Sequence, residues 1–201
     1  MTIAKKQIQL DADFVLMAYC NGYFPMAELL TGVISWYSPD PRAILPLDGF
    51  RISRSLRQRI RSQIYELRVN TEFERVIRSC AEREQTWISE EMVRVYIELH
   101  ERGFAHSVES WHDGILVGGL YGVAVGGAFF GESMFSRQRD ASKVALVHLV
   151  DRLGQRKFQL LDSQFMNEHI AQFGATEISR STYLTLLTEA LRLDSSFLDL
   201  K

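Results

Sequence analysis

The first half of the chain places apolar and polar residues mainly with the spacing of short helices. Four helices are predicted in this half, at 11–22, 54–62, 71–80 and 89–103. An acid begins the first helix and a glycine ends it, and the sequence Thr-Glu-Phe-Glu at 71–74 has the form of a capping box. A strand is predicted at 65–70. Two prolines around Asp40 predict a rigid, non-helical loop at 36–42.

The second half changes to the alternation of strands before it returns to helices. An antiparallel meander is predicted at 105–111, 115–125 and 128–135, joined at His-Asp-Gly 112–114 and at Gly126-Gly127. An apolar-striped helix at 140–153, closed by Gly154, precedes a nearly all-apolar strand at 158–162. Two more helices are predicted, at 167–173 and 181–193.

This order of elements predicts an α+β fold. We expect a mixed, largely antiparallel sheet with helices packed on it, within a main domain at 61–201. Residues 1–60 are expected to form a small N-terminal lobe.

Composition narrows the class of protein. The 201 residues are 46% hydrophobic and 24% charged, which is typical of a globular protein, and no apolar run approaches the ~18 residues of a membrane span. Residues 1–10 carry Lys5 and Lys6 without the apolar stretch of a secretory signal, so we expect a cytoplasmic protein. Cys20 and Cys80 lie in helix-like stretches, where two buried thiols are favoured over a disulfide or a nucleophile. The histidine spacing fits no metal site, and we expect no metal.

Charge is distributed unevenly, although the formal net charge is only -2. Five arginines fall in one stretch without an acid between them: Arg51, Arg54, Arg57, Arg59 and Arg61. They either form a solvated helix face or contact phosphates. Because the planar guanidinium suits phosphate oxygens, the pattern favours phosphate binding slightly.

Glu132 lies in an aromatic strand, between Phe130 and Met134 on its own face. A carboxylate in such surroundings must be paired or neutralised. It either pairs as a structural group, with Arg137, Arg139 or a buried backbone donor, or belongs to a functional site. The preceding Gly131 would let a ligand approach the backbone.

A second polar group begins at the last residue of the predicted strand at 158–162. Asp162, Gln164 and Asn167 place one acid and two amides within six residues, which suits orienting an amine and polarising a carbonyl. Alternatively, Asp162 and Asn167 cap turns. Trp87 precedes a helix N-cap, where core packing explains it equally well. No nucleophilic triad can be assembled, which favours direct aminolysis over a covalent intermediate.

Six blocks resemble the bacterial leucyl/phenylalanyl-tRNA–protein transferases and occur in that family's order. They are WYSPDPRA at 36–43, QTWI at 85–88, GFAHSVE at 103–109, VGGLYGV at 117–123, GESMFSR at 131–137 and DASK at 140–143. The resemblance implies a core like that of the GCN5-related acyltransferases, with leucyl- or phenylalanyl-tRNA as the donor. It implies transfer of Leu or Phe, less readily Met, to acceptor proteins that begin with Arg or Lys, which marks them for N-degron degradation. No cofactor is expected, and we expect a monomer.

The resemblance also assigns roles to individual residues. Asp162 and Gln164 match the pair assigned to activating the acceptor amine, and Glu132 matches the residue that holds the donor's α-amino group. Asn167 matches a polar contact near the donor, and Trp87 and Phe129 match walls of the donor site. The other candidate substrate-binding residues are Gly131, Trp36, Met26, Leu149 and Leu153. Met26 stands where the family often has a Trp, and Leu149 and Leu153 stand where better-known members have Phe.

Two competing functions remain open at this point. A coenzyme-A-dependent acetyltransferase would need a glycine-rich turn leading into a helix, whereas Gly126-Gly127 leads into a strand and Asp140 begins the next helix with a negative charge. A non-enzymatic module that binds tRNA or peptide would explain the arginine cluster but would leave Asp162, Gln164 and Glu132 without a role.

Overall fold

The computed structural model describes residues 10–198, so the N-terminal stretch that argues against a secretory signal lies almost entirely outside the described residues. The helices in this range are α1 (Ala12–Cys20), α2 (Arg54–Arg61), α3 (Phe73–Ala81), α4 (Glu90–Glu101), α5 (Ala141–Gln155), α6 (Glu168–Ala171) and α7 (Arg180–Leu191). The strands are β1 (Phe24–Ala27), β2 (Ile34–Tyr37), β3 (Arg42–Ile44), β4 (Glu66–Val69), β5 (Ala105–His112), β6 (Ile115–Val125), β7 (Ala128–Ser136), β8 (Leu160–Gln164) and β9 (Thr176–Ile178). Within these residues, no helix is both long and apolar enough to cross a membrane.

Seven strands form one sheet, in the order β4-β5-β6-β7-β8-β3-β9, and β1 and β2 form a separate hairpin. Every neighbouring pair in the large sheet is antiparallel except β7 and β8, which run parallel. The predicted α+β class with a mixed, largely antiparallel sheet is therefore confirmed. The edge strand β9 was not predicted, because its three residues are mostly exposed and show no apolar alternation.

Two hydrophobic cores cover the two faces of this sheet. Adjacent residues of a strand point to opposite faces, and Phe130 packs in the first core while Phe129 packs in the second. Buried side chains of α1, α3, α4 and α7 complete the first core. Those of α2, α5 and α6 complete the second. Each helix thus contributes its apolar side chains to one face only.

Residues of the predicted N-terminal lobe contribute to both the hairpin and the large sheet. Helix α1 buries Val15 and Tyr19 in the first core, while β3 pairs with β8 and β9 inside the large sheet. The domain boundary at residue 60 stays a prediction. What the structure shows is that the segment before it supplies an interior strand.

Local side-chain caps account for five of the seven described helix starts, and of the two exceptions, α3 and α5, the first corrects a prediction. Ser89 accepts a hydrogen bond from the Met92 amide at the start of α4, as predicted. The capping box at 71–74 does not form, because Glu72 is the N-cap of α3 without a side-chain cap bond. Instead the buried Glu109 carboxylate of β5 accepts the amides of Thr71 and Glu72, both at 2.9 Å. A carboxylate from a neighbouring strand thus stabilises this helix end.

The predicted end of the helix before Gly154 and the predicted end of the strand at Asp162 are also wrong. Helix α5 continues through Gly154 to Gln155, and the left-handed backbone that follows is at Lys157, with φ 61°. Strand β8 begins at Leu160 and extends to Gln164, so Asp162 lies in its middle rather than at its end. The polar residues 162–164 remain in the strand because β3 pairs with them, which apolar periodicity does not reveal.

The two cysteines are free thiols. Cys80 is fully buried in the first core, which confirms the prediction for that residue, whereas Cys20 at the end of α1 is only partly buried.

Gly154→Ala is expected to raise the free energy of unfolding by about 0.5 kcal/mol, because alanine is the better helix former. A Cβ at this position would meet no atom within 4 Å, and the residue is exposed. Gly118→Ala is the matched control, since its Cβ would lie 2.5 Å from Cβ of Ala141. It should lower stability by about 1–3 kcal/mol. Urea unfolding measures both, and a destabilised Gly154→Ala variant would show that the helix ends before this residue.

Candidate functional site

The site begins where two neighbouring parallel strands separate. β7 and β8 are paired from Ala128↔Leu160 to Phe130↔Asp162, and pairing ends there although β7 continues to Ser136 and β8 to Gln164. Gly131 follows the last paired residue of β7. The sheet therefore has a gap at its interior, bordered by the ends of both strands.

A cavity of about 580 Å³ occupies this gap and receives side chains from both cores. Its apolar wall comes mainly from the face covered by α5: Leu45, Leu120, Met134, Leu146, Leu149, Leu161 and Ile170. Tyr121, Met26 and Trp87 reach it from the opposite face. Glu132 and Gln164 lie between these walls. The cavity thus joins an apolar pocket to a polar centre through the sheet.

A β-bulge places Glu132 in the cavity wall. In the β6–β7 ladder Tyr121 pairs with Ser133 and Gly122 pairs with Gly131, so Glu132 is the extra residue. Its Oε1 accepts the Tyr19 hydroxyl at 2.6 Å and the Gln164 amide Nε2 at 2.7 Å. Its Oε2 accepts the Tyr96 hydroxyl at 3.2 Å. Burial raises the pKa of Glu132 to about 7, against the opposing effect of these donors.

These contacts bear on the two interpretations of Glu132. Arg137 bonds to Ser79 and Glu82 instead, and Arg139 lies beside Asp140. The hydrogen-bond partners of Glu132 among residues 10–198 are neutral tyrosines and an amide, and none of them is a cation. A buried carboxylate with a raised pKa at a cavity is typical of functional sites, so these contacts favour the functional interpretation, which stays a prediction.

Asp162 is held by a buried arginine that the sequence analysis did not single out. Arg42 of β3 donates from Nε to Oδ1 at 2.9 Å and from Nη2 to Oδ2 at 2.6 Å, and both side chains are almost completely buried. The Tyr183 hydroxyl donates to Oδ2 at 2.7 Å, and the Gln164 backbone amide donates to Oδ1 at 2.9 Å. Since a carboxylate offers about four acceptor positions, these donors leave Asp162 none for a substrate.

Gln164 links the two carboxylates. Its backbone adopts a left-handed conformation, with φ 66°, which is rare for a residue with a side chain. The hydrogen bond from its amide to Asp162 supports this conformation, while its side chain donates to Glu132. Strained backbone of this kind occurs often at functional sites. Both Asp162 and Gln164 line the cavity, but the oxygens of Asp162 are occupied, so the geometry makes Asp162 the support of Gln164.

The structure brings some of the other predicted residues to the cavity. Met26 and Trp87 line it, and so does Asn167, whose side chain also caps α6 by accepting the Ile170 amide at 3.0 Å. Leu149 lines it as well.

Three predicted residues lie elsewhere. Phe129 and Leu153 are fully buried in the second core, where Phe129 stacks on Phe197, and neither belongs to the cavity wall. Trp36 lies in the β1–β2 hairpin and packs edge-to-face on Phe14, also outside the wall.

The arginine cluster lies at and around α2, and all its members except Arg59 are exposed. Helix α2 buries Leu56 in the second core, the same core that supplies the apolar wall of the cavity. The cations therefore lie on the side of the sheet that α5, with Leu149, covers. That these arginines contact phosphates rather than only solvent stays a prediction.

Sequence reasoning missed Arg42, Tyr19, Tyr96 and Tyr183. Arg42 had a weak signal, since it directly follows the rigid proline loop. The tyrosines had none, because α1, α4 and α7 carry them at positions that look like ordinary core. Only the assembled fold brings their hydroxyls to the two carboxylates.

Comparisons with known proteins agree over nearly the whole chain. A family model described as leucyl/phenylalanyl-tRNA protein transferase matches residues 44–188, and one described as that family's N-terminal domain matches residues 8–40. The leucyl/phenylalanyl-tRNA–protein transferase of Gloeobacter violaceus is 55% identical over 190 residues, covering 94% of this chain and 98% of its own. That of a Ruegeria species is also 55% identical, covering 94% and 90%. The solved structure of L-PGS from Bacillus licheniformis aligns with 91% of this chain and 71% of its own, with a TM-score of 0.46 and 13% identity, which is too distant to inform the site.

The titration of Glu132 should make the free energy of unfolding depend on pH. Its pKa in the folded protein is about 7 and its usual value is 4.5. Between these values the unfolded state binds fewer protons than the folded state, so the free energy of unfolding falls as pH rises, by at most roughly 3 kcal/mol. Glu132→Gln removes this contribution and should gain stability relative to the wild type from pH 5 to 7.5. Urea unfolding measures the difference, with Glu84→Gln at an exposed acid as the control. Parallel pH curves for wild type and Glu132→Gln would show that Glu132 does not titrate in this range.

Proposed function

This chain belongs to the leucyl/phenylalanyl-tRNA–protein transferase family, and on that basis we propose that it transfers Leu or Phe, less readily Met, from aminoacyl-tRNA to an N-terminal Arg or Lys of acceptor proteins. Such transfer would mark the acceptors for N-degron degradation. Charged tRNA as the donor implies action in the cytoplasm, and transfer requires only one copy of the chain.

The observation that carries this proposal is the cavity that joins an apolar pocket to Glu132 through the gap between β7 and β8. An aminoacyl ester has an apolar side chain, an α-ammonium group and a reactive carbonyl on neighbouring atoms. The apolar wall suits the side chain, and the Glu132 carboxylate suits the ammonium group. Trp87 and Met26 offer apolar surface on the other face, where the terminal adenosine can pack.

The reaction needs placement of two substrates more than a strong base. The neutral N-terminal amine of the acceptor attacks the ester carbonyl, a C–N bond forms, and the C–O bond to the ribose breaks. The amine's proton passes to the released ribose oxygen. Because an α-amino group has a pKa of about 7.7–8.0, a useful fraction is already neutral near pH 7. Correct orientation of the two reacting atoms can therefore supply much of the acceleration.

Gln164 is the group we assign to the acceptor amine. Its Nε2 donates to Glu132, which leaves the amide oxygen to accept a hydrogen bond from the amine. Asp162 then acts as a positioning residue, because both of its oxygens are occupied by Arg42, Tyr183 and the Gln164 amide. The resemblance assigns both residues to acceptor activation, and this arrangement gives Asp162 its part through Gln164.

The body of the donor tRNA is assigned to the arginine cluster. Exposed guanidinium groups at α2 can neutralise phosphates without entering the cavity. This separates tRNA binding, which depends on salt, from recognition of the amino acid, which depends on the apolar wall.

A transfer assay tests the function directly. With leucyl- or phenylalanyl-tRNA as donor, a peptide that begins with Arg should acquire one Leu or Phe, while the same peptide beginning with Ala should not. Mass spectrometry of the peptide measures the product. Acetylation of the peptide by acetyl-coenzyme A would support the acetyltransferase instead. Binding of charged tRNA without any transfer would support a non-enzymatic module.

Leu149 should determine the preference between donors. Leu149→Ala enlarges the apolar pocket and should raise the ratio of kcat/KM for phenylalanyl- over leucyl-tRNA by about 10-fold. Leu153→Ala is the matched control, because this residue lies one helical turn away, is fully buried and does not line the cavity. Both variants lose core packing, so the ratio between donors is the measurement rather than the absolute rate. An unchanged ratio in Leu149→Ala would place the donor's side chain elsewhere.

A further inference from the structure

Tyr121 carries a polar group for which the fold provides no partner. Its side chain is fully buried, and its ring packs edge-to-face against Phe73 and Tyr96. Among residues 10–198 its hydroxyl has no hydrogen-bond partner, yet Tyr121 lines the cavity. A buried hydroxyl without a partner is unfavourable, and phenylalanine at this position would avoid that cost. The geometry indicates that the hydroxyl is satisfied by a ligand.

Tyr121 lies next to Glu132 in the sheet, and both residues line the cavity. Tyr121 pairs with Ser133 across the β6–β7 ladder, next to the bulge that contains Glu132. Burial, followed by the charge of Glu132, raises the pKa of Tyr121 well above its usual value. The group therefore remains a neutral hydroxyl, which can both donate and accept a hydrogen bond. The other charged side chains that line the cavity are those of Arg83 and Asp162.

Glu132 retains room for one more donor. Tyr19 and Gln164 occupy its Oε1, and Tyr96 occupies one side of its Oε2. Because a carboxylate offers about four acceptor positions, one position on Oε2 stays open. An ammonium group has three N–H donors, so this position alone would leave it partly unsatisfied in a buried site. A neutral oxygen next to the carboxylate would supply a second acceptor without adding charge.

We propose that the Tyr121 hydroxyl and the Glu132 carboxylate together bind the α-ammonium group of the donor amino acid, an inference that rests on the proposed function. The acceptor amine must be neutral to attack, so a carboxylate that favours the charged form suits the donor's amine instead. Holding that amine as ammonium also keeps it from acting as a nucleophile. Donors whose α-nitrogen is acylated would lose the charge and two of the three N–H groups, and this site would discriminate against them.

Two non-reactive donor analogues test the assignment. The first is adenosine whose 3′-amino group carries phenylalanine in an amide bond, which can bind without transfer. The second carries 3-phenylpropionate in the same bond and differs only by lacking the α-amino group. Calorimetric titration should show that Tyr121→Phe weakens the first analogue by about 10-fold. The wild type and Tyr121→Phe should bind the second analogue equally.

The free energy of unfolding distinguishes a role of the Tyr121 hydroxyl in binding from a role in folding. Tyr121→Phe removes an unpartnered hydroxyl, so its free energy of unfolding should equal or exceed that of the wild type. Tyr65→Phe is the matched control, since the Tyr65 hydroxyl donates to the Arg139 carbonyl at 2.8 Å and Tyr65 does not line the cavity. That variant should lose stability and keep its affinity for both analogues.

Unchanged affinity of Tyr121→Phe for the phenylalanyl analogue would overturn the inference. An equal loss for both analogues would overturn it too, because the hydroxyl would then contact an atom other than the α-nitrogen. A wild type that binds neither analogue and transfers nothing from charged tRNA would overturn the proposed function itself. A wild type that transfers normally and binds both analogues with equal affinity would overturn only the ammonium site.

Discussion

The buried ion pair between Arg42 and Asp162 is the contact on which the site depends. Arg42 lies between the rings of Phe24 and Tyr183, with its guanidinium carbon 4.6 and 4.5 Å from their centroids, and it also donates to the Gly22 carbonyl. One cation thus joins the segment after α1, strand β3, strand β8 and helix α7. Removing either partner of such a pair would leave an uncompensated buried charge, which costs several kcal/mol.

The ion pair acts on the cavity through a chain of hydrogen bonds. Asp162, held by Arg42, accepts the backbone amide of Gln164 and supports its left-handed conformation. The Gln164 side chain then donates to Glu132, whose other partners, Tyr19 and Tyr96, come from the helices of the first core. The buried ion pair therefore helps to position the Gln164 and Glu132 side chains at the cavity. The raised pKa of Glu132 follows from the same burial that makes this arrangement rigid.

The gap between β7 and β8 brings three kinds of surface into one cavity. The core covered by α5 supplies an apolar wall, the opposite core supplies tyrosines, and the carboxylate lies between them. Interruption of the pairing after Phe130 and Asp162 makes this possible, because a continuous ladder would leave no passage through the sheet. Bulges in both strands, at Glu132 and next to Ala43 in the β3–β8 pairing, turn side chains toward the gap.

The sequence by itself determined the elements whose signals are local. Alternation and turn residues located the β5–β7 meander, helix periodicity located α4 and α5, and a carboxylate among aromatic residues marked Glu132. Tertiary structure alone decided what depends on contacts distant in sequence. Arg42 meets Asp162 across 120 positions, Glu109 takes the place of a local cap on α3, and only Leu149 of the two predicted helix leucines reaches the cavity. The physical reason is that periodicity records which face of an element is apolar, whereas the partner that a buried charge or hydroxyl finds depends on which elements pack together.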